Sequence, residues 1–221
     1  MSKIKAVLFD FDGTLVDTNP AVINSWQYMA EKVMGDFRFP LDYLTETFGK
    51  PLVDCMAQVI IDYDIKGYTP IELCKIYREY QRNNQDKMGD TFPGIKDLVY
   101  SLKEKGIKLG VVTSRKNQDT RNNLARTGID VFDVVIGMDD TDIHKPEPEP
   151  CLICCKKLGV DPSESIMVGD SQFDIACGNN AGAETIFVYW SACTKSEDLE
   201  GVSKPDYIVD SAEEIEHIVL G

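Results

Sequence analysis

The most constraining feature of the chain is a short apolar run, Ile4-Lys5-Ala6-Val7-Leu8-Phe9, that stops abruptly at Asp10-Phe11-Asp12-Gly13-Thr14. A run of this kind reads as a strand buried on both faces that delivers polar residues to its carboxyl end. Similar runs recur at Ile107 to Thr113, Val134 to Ile136, Ser165 to Gly169 and Thr185 to Val188. Helical patterns lie between them, over Gly94 to Lys105, Asn117 to Thr127, Glu149 to Leu158 and Gln172 to Ala181. Gly106, Gly128, Gly159 and Gly182 stand where those helices should stop. Strands alternating with helices imply a doubly wound parallel sheet of the α/β class. A last strand, Asp206 to Val209, and a helix, Ala212 to Val219, complete the pattern.

One interval breaks the alternation. From Asn19 to Met88 the periodicity is helical, with Trp26, Met29, Ala30 and Val33 on one face and Leu73, Ile76, Tyr77 and Tyr80 on another. Asn19-Pro20 and the segment Met88-Gly89-Asp90-Thr91-Phe92-Pro93-Gly94 border it with turn chemistry. The expected organisation is therefore a core formed by residues 1–18 and 89–221, with a helical cap of residues 19–88 inserted after the first strand. Such an insert is placed to act as a lid.

Composition narrows the partners. A formal charge of −14 and the absence of a Lys/Arg block argue against the nucleic-acid backbone. The 43% hydrophobic fraction is that of a globular protein, and no apolar run approaches the ~20 residues that span a bilayer. The amino terminus does not read as a signal peptide, so the expected location is the cytoplasm. Seven cysteines, an odd number, suit reduced thiols. Cys151, Cys154 and Cys155 read as small apolar residues of one helix, because no second Cys/His pair stands at metal-finger spacing.

Open parallel sheets bind ligands outside the carboxyl ends of their strands, so the residues at those ends belong together. They are Asp10 and Asp12, Thr113 and Ser114, Lys145 in a turn before a helix, and Asp170 with Asp174 one helical turn on. Several carboxylates at one point repel and raise one another's pKa unless a cation joins them. A hard divalent ion with oxygen ligands relieves this, and Mg2+ is the expected choice because it combines few carboxylates with a substrate phosphate. Taken singly, each residue has a plainer reading. Asp10 or Asp12 could cap a turn, Thr113 and Ser114 could cap the next helix, Asp174 could face solvent, and Lys145 could be a surface lysine. His144 reads as a loop residue.

Together these segments resemble the four motifs of the haloacid dehalogenase-like hydrolase superfamily: Asp10-Phe11-Asp12-Gly13-Thr14, Thr113 after Val111-Val112, Lys145-Pro146, and Gly169-Asp170-Ser171-Gln172-Phe173-Asp174. The likeness covers essentially the whole chain. The helical insert resembles the first class of cap in that superfamily, as in phosphoglycolate phosphatases, pyrophosphatases and β-phosphoglucomutases. The resemblance implies a Rossmann-like core with an inserted helical cap and an Mg2+-dependent phosphatase acting on a small phosphorylated metabolite. In that scheme Asp10 is the nucleophile that becomes an aspartyl-phosphate, and Asp12 is the general acid and base. Thr113, Ser114 and Lys145 bind the transferring phosphoryl group. The metal is assigned to the Asp10 carboxylate, the Asp12 main-chain carbonyl and Asp170, with Asp174 in support. The dehalogenases of the superfamily usually lack the second aspartate, so Asp12 favours phosphoryl transfer.

Two other functions compete with hydrolysis. A sugar phosphomutase of the β-phosphoglucomutase type would use the same aspartyl-phosphate but needs cationic cap residues for a second phosphate. The segment Phe48-Gly49-Lys50-Pro51-Leu52 instead resembles the Gly-x-Pro-Leu segment of phosphoglycolate phosphatase and pyrophosphatase relatives. Lys50 is its single cation and is the expected cap contact to the substrate. A non-catalytic member that keeps the fold would be expected to lose a motif residue, and none is lost.

Overall fold

The computed structural model describes residues 4–48, 50–84, 87–191 and 199–221. The chain divides into two compact units, one of residues 1–16 and 90–221 and one of residues 17–89. Each has its own core.

The larger unit is built on a six-stranded, all-parallel sheet in the order β3-β2-β1-β4-β5-β6. Its strands are β1 (Ala6–Phe9), β2 (Lys108–Val112), β3 (Val134–Ile136), β4 (Ser165–Gly169), β5 (Glu184–Val188) and β6 (Tyr207–Val209). Their side chains alternate between two cores, as a period of two requires. Val7 and Phe9 enter one, together with Leu98, Leu102, Leu124 and Ile215 from the helices on that face. Ala6 and Leu8 enter the other, where Cys151, Cys154, Cys155 and Cys177 are fully buried. Burial pushes the Cys154 thiol up from its ordinary value, as expected of a cysteine that serves as a small apolar side chain.

The helices follow the expected spans closely. α5 covers Ile95–Glu104, α6 Asn117–Thr127, α7 Glu149–Leu158, α8 Gln172–Ala181 and α9 Ala212–Leu220. Gly128, Gly159 and Gly182 end α6, α7 and α8 in the left-handed conformation, where a side chain would be strained. The strand order reverses about β1, which lies between β2 and β4. A crevice at the carboxyl ends of β1 and β4 is the natural ligand position of such a sheet.

The regular elements of the smaller unit, among its described residues, include the helices α1 (Asn19–Met34), α2 (Leu41–Thr45), α3 (Leu52–Asp62) and α4 (Pro70–Asn83). Trp26, Met29, Leu44, Met56, Leu73 and Tyr77 fill its core. Trp26 packs edge-on against Phe39 and Tyr77. Val33, Ile76 and Tyr80, expected on the same faces, are only partly buried. At the base of this unit a Cβ on Gly89 would lie 1.9 Å from the Asp17 carbonyl oxygen. The first and last residues of this unit therefore lie in backbone contact, and Gly89, at φ +87°, permits it. Among the described residues no helix is long and apolar enough to cross a membrane.

Candidate active site

The β-sheet ends where its apolar runs end, and the first polar residue after β1 and after β2 is held by the backbone of a neighbour. Asp10 follows β1, and its N–H donates to the Val168 carbonyl at 2.9 Å. Thr113 follows β2, and its N–H donates to Ile136 at 3.0 Å. Asp170 follows β4. All three side chains are buried.

Lys145 reaches this point from the loop between β3 and α7. Its ammonium donates to Asp10 Oδ1 at 2.8 Å, to the Val112 carbonyl at 3.4 Å and to Asp174 Oδ1. Its side chain is only 6% exposed, so a surface lysine is excluded. Desolvation alone would lower its pKa, but Asp10 and Asp174 outweigh it and hold the ammonium protonated.

Asp174 does not face solvent. It is the third residue of α8, where it forms a capping box with Ser171. Its Oδ2 accepts from the Ser171 N–H and hydroxyl while its Oδ1 accepts from Lys145. The same carboxylate therefore caps the helix and holds the lysine.

Asp10, Asp170 and Asp174 each offer a carboxylate oxygen within 4.8 Å of the others, and all are buried. Burial, the neighbouring Asp174 and the other carboxylates raise Asp10 well above the usual range, with Lys145 opposing. Burial and Asp174 push Asp170 up to about 7, against the Ser191 hydroxyl and Lys145. When all three carboxylates are ionised they repel one another, and among the described residues the Lys145 ammonium, paired with Asp10 and Asp174, offsets that repulsion in part. A divalent cation with oxygen ligands would relieve the remainder. Close packing frames the Asp170 carboxylate: Thr14 Oγ1 lies 3.5 Å from Oδ1, and a Cβ on Gly13 would come within 2.1 Å of Oδ2.

The Asp12 carboxylate lies outside this acidic group. Its Oδ1 accepts from Arg115 Nη1 at 2.7 Å, and the guanidinium lies 5.4 Å from the centre of the Phe11 ring. The assignment of Asp12 to the metal rests only on its main-chain carbonyl. Neither Thr113 nor Ser114 caps α6, whose N-cap is Lys116 without a side-chain bond. Thr113 Oγ1 accepts from the Arg115 N–H at 3.2 Å, and Ser114 is partly buried beside it. His144 is partly buried in the loop next to Lys145. Lys50 is exposed in the helical unit.

Sequence reading missed three residues of this environment: Arg115, Thr14 and Ser191. Arg115 could have been found as a cation in a strand-end loop, two residues beyond Thr113. Thr14 sits inside the first motif. Ser191 carries no comparable pattern.

Comparison with known proteins identifies the family. The profile of the family described as haloacid dehalogenase-like hydrolase matches residues 7–188. A protein of Clostridium perfringens, provisionally named pyrophosphatase PpaX, is 39% identical over 98% of this chain and 97% of its own length. Pyrophosphatase PpaX of Bacillus pumilus is 32% identical over 99% of this chain and 97% of its own. The crystal structure described as a predicted phosphoglycolate phosphatase from Haemophilus somnus superposes with a TM-score of 0.85 at 25% identity, covering 99% of both chains. With the profile spanning both strand ends that meet at the aspartate cluster, and relatives aligned almost end to end, the chain belongs to the haloacid dehalogenase-like hydrolase family.

Proposed function

We propose that this chain, a phosphatase of the haloacid dehalogenase-like family, hydrolyses a small phosphorylated metabolite by way of an aspartyl-phosphate on Asp10, with Mg2+ as cofactor. The observation that carries the reading is the buried contact of Lys145 Nζ with Asp10 Oδ1 at 2.8 Å, at the edge of the three-carboxylate cluster. A carboxylate at a strand end beside a buried ammonium is oriented as a nucleophile.

In the first step Asp10 attacks phosphorus, the bond from phosphorus to the leaving oxygen breaks, and Asp12 supplies that oxygen with a proton. In the second step water attacks the aspartyl-phosphate, Asp12 takes the water proton, and Asp10 is released with inorganic phosphate. The Thr113 hydroxyl, Ser114 and the backbone amides around them bind phosphoryl oxygens, and Lys145 balances their charge. Asp10, the Asp12 carbonyl and Asp170 would hold the metal, which would supply positive charge to the phosphoryl group. Asp174 supports this arrangement through Lys145 and Ser171, since both of its oxygens already accept hydrogen bonds. Burial holds Asp10 well above its usual range and Lys145 opposes it, so the ammonium favours the ionised nucleophile.

The names of the relatives suggest pyrophosphate-like or phosphoglycolate-like substrates, and Lys50 is assigned to the distal anionic part. Turnover of p-nitrophenyl phosphate with and without Mg2+, followed by a panel of phosphorylated metabolites, tests the reading. Activity is expected only with the metal, and full activity in chelator would contradict the assignment. Lys50→Ala should lower kcat/KM for the preferred anionic substrate by about tenfold, as loss of a charged contact does, and leave the generic ester unaffected. Conversion of a sugar phosphate to its isomer without phosphate release would identify a phosphomutase instead.

A further inference from the structure

The ion pair of Arg115 with Asp12 has no part in the four motifs, yet it is built to hold one group still. Arg115 stands in the loop after β2, and its N–H is tied to Thr113 Oγ1 at 3.2 Å. Its guanidinium lies against the face of Phe11, which is fully buried, and donates from Nη1 to Asp12 Oδ1 at 2.7 Å. Its side chain is 15% exposed and that of Asp12 is 33% exposed. A planar guanidinium fixed by its own backbone and by an aromatic floor sets the orientation of the carboxylate it binds, which a flexible lysine does less well. The pair is part-buried, so its geometry is held away from bulk solvent.

We infer that Arg115 is the positioning residue of Asp12, fixing the carboxyl group from which the leaving oxygen receives its proton. The inference rests on the acid-base role proposed for Asp12. Positioning matters because proton transfer requires hydrogen-bond reach, and a carboxyl free to rotate spends little time there.

The role predicts a dependence on the leaving group. An alkyl phosphate expels a basic alkoxide that needs the proton. A 2,4-dinitrophenyl phosphate expels a phenolate that is stable without it. The quantity to compare is kcat/KM, which reports the steps through formation of the aspartyl-phosphate. Arg115→Ala should lower kcat/KM for an alkyl phosphate by about tenfold or more while changing the dinitrophenyl ester by less than about threefold, within the usual span of general acid catalysis. Arg115→Lys should recover part of the loss. Against an Asp12→Ala background, Arg115→Ala should cost nothing further on either ester, because a residue that acts only through another has no effect once that other is gone. Equal losses on both esters, or a further loss in the Asp12→Ala background, would overturn the inference and leave the role of Asp12 standing. No loss on either ester would overturn it as well. An Asp12→Ala variant that itself treats the two esters alike would remove Asp12 from acid catalysis, and the positioning role with it.

Discussion

Gly169 and Asp174 meet so closely that a Cβ on the glycine would lie 2.2 Å from the Asp174 Cβ. The last residue of β4 therefore leaves the space into which the first turn of α8 folds its carboxylate. Gly169→Ala should push Asp174 out of its capping box and away from Lys145. The expected cost is about 1–3 kcal/mol, as for other overpacked sites, together with a marked fall in kcat. Chemical denaturation and steady-state kinetics on the same preparation check both.

Lys145→Met removes the ammonium that two buried carboxylates share. Breaking a buried ion pair by deleting one partner costs about 3–5 kcal/mol, because the remaining charge is uncompensated. The variant should be inactive and less stable. Adding Asp174→Asn should restore part of the stability but none of the activity, which urea midpoints for the single and double variants would reveal.

Asp10→Asn should abolish turnover with the fold intact. The amide is nearly isosteric but a poor nucleophile. Since burial and the neighbouring carboxylates disfavour ionised Asp10, the variant's melting temperature in chelator should equal or exceed that of the parent. Wild-type-like turnover would exclude Asp10 as the nucleophile, and calorimetry tests the second half.

The pH dependence follows from Asp170, whose pKa is pushed up to about 7 by burial and by Asp174. Between its ordinary carboxylate range and about 7, the unfolded chain has lost this proton and the folded protein has kept it. The folded state then binds more protons at Asp170, so the contribution of this group to stability is fully present below the ordinary range and is lost as pH rises toward 7. Metal binding needs the ionised form, so Mg2+ affinity should rise over the same window and offset the loss. Melting temperatures from pH 5 to about 8, with Mg2+ and with chelator, should diverge as pH increases. Parallel curves would show that Asp170 does not titrate in this range.

The sheet was legible because its information is local. A strand buried on both faces must be apolar along its length, and the polar residue that ends it marks its carboxyl end. Asp10, Thr113 and Asp170 were therefore placed by one-dimensional pattern, and the glycines after α6, α7 and α8 marked the helix ends for an equally local reason. The helical insert was visible because its period departs from that of its surroundings. The partners of the site were not local. Asp12 and Arg115 are 103 residues apart, and Lys145 and Asp10 are 135 apart. Nothing in the composition of either partner names the other. The order of strands about β1 decides which loops share a crevice, and burial then decides which charges must pair, because an unpaired charge in a low-dielectric interior is too costly to keep. The sequence by itself determined the alternating fold, the inserted helices and the acidic strand ends. Only the tertiary structure decided that Asp174 serves Lys145 and its own helix at once, and that Asp12 is held by Arg115 outside the acidic cluster.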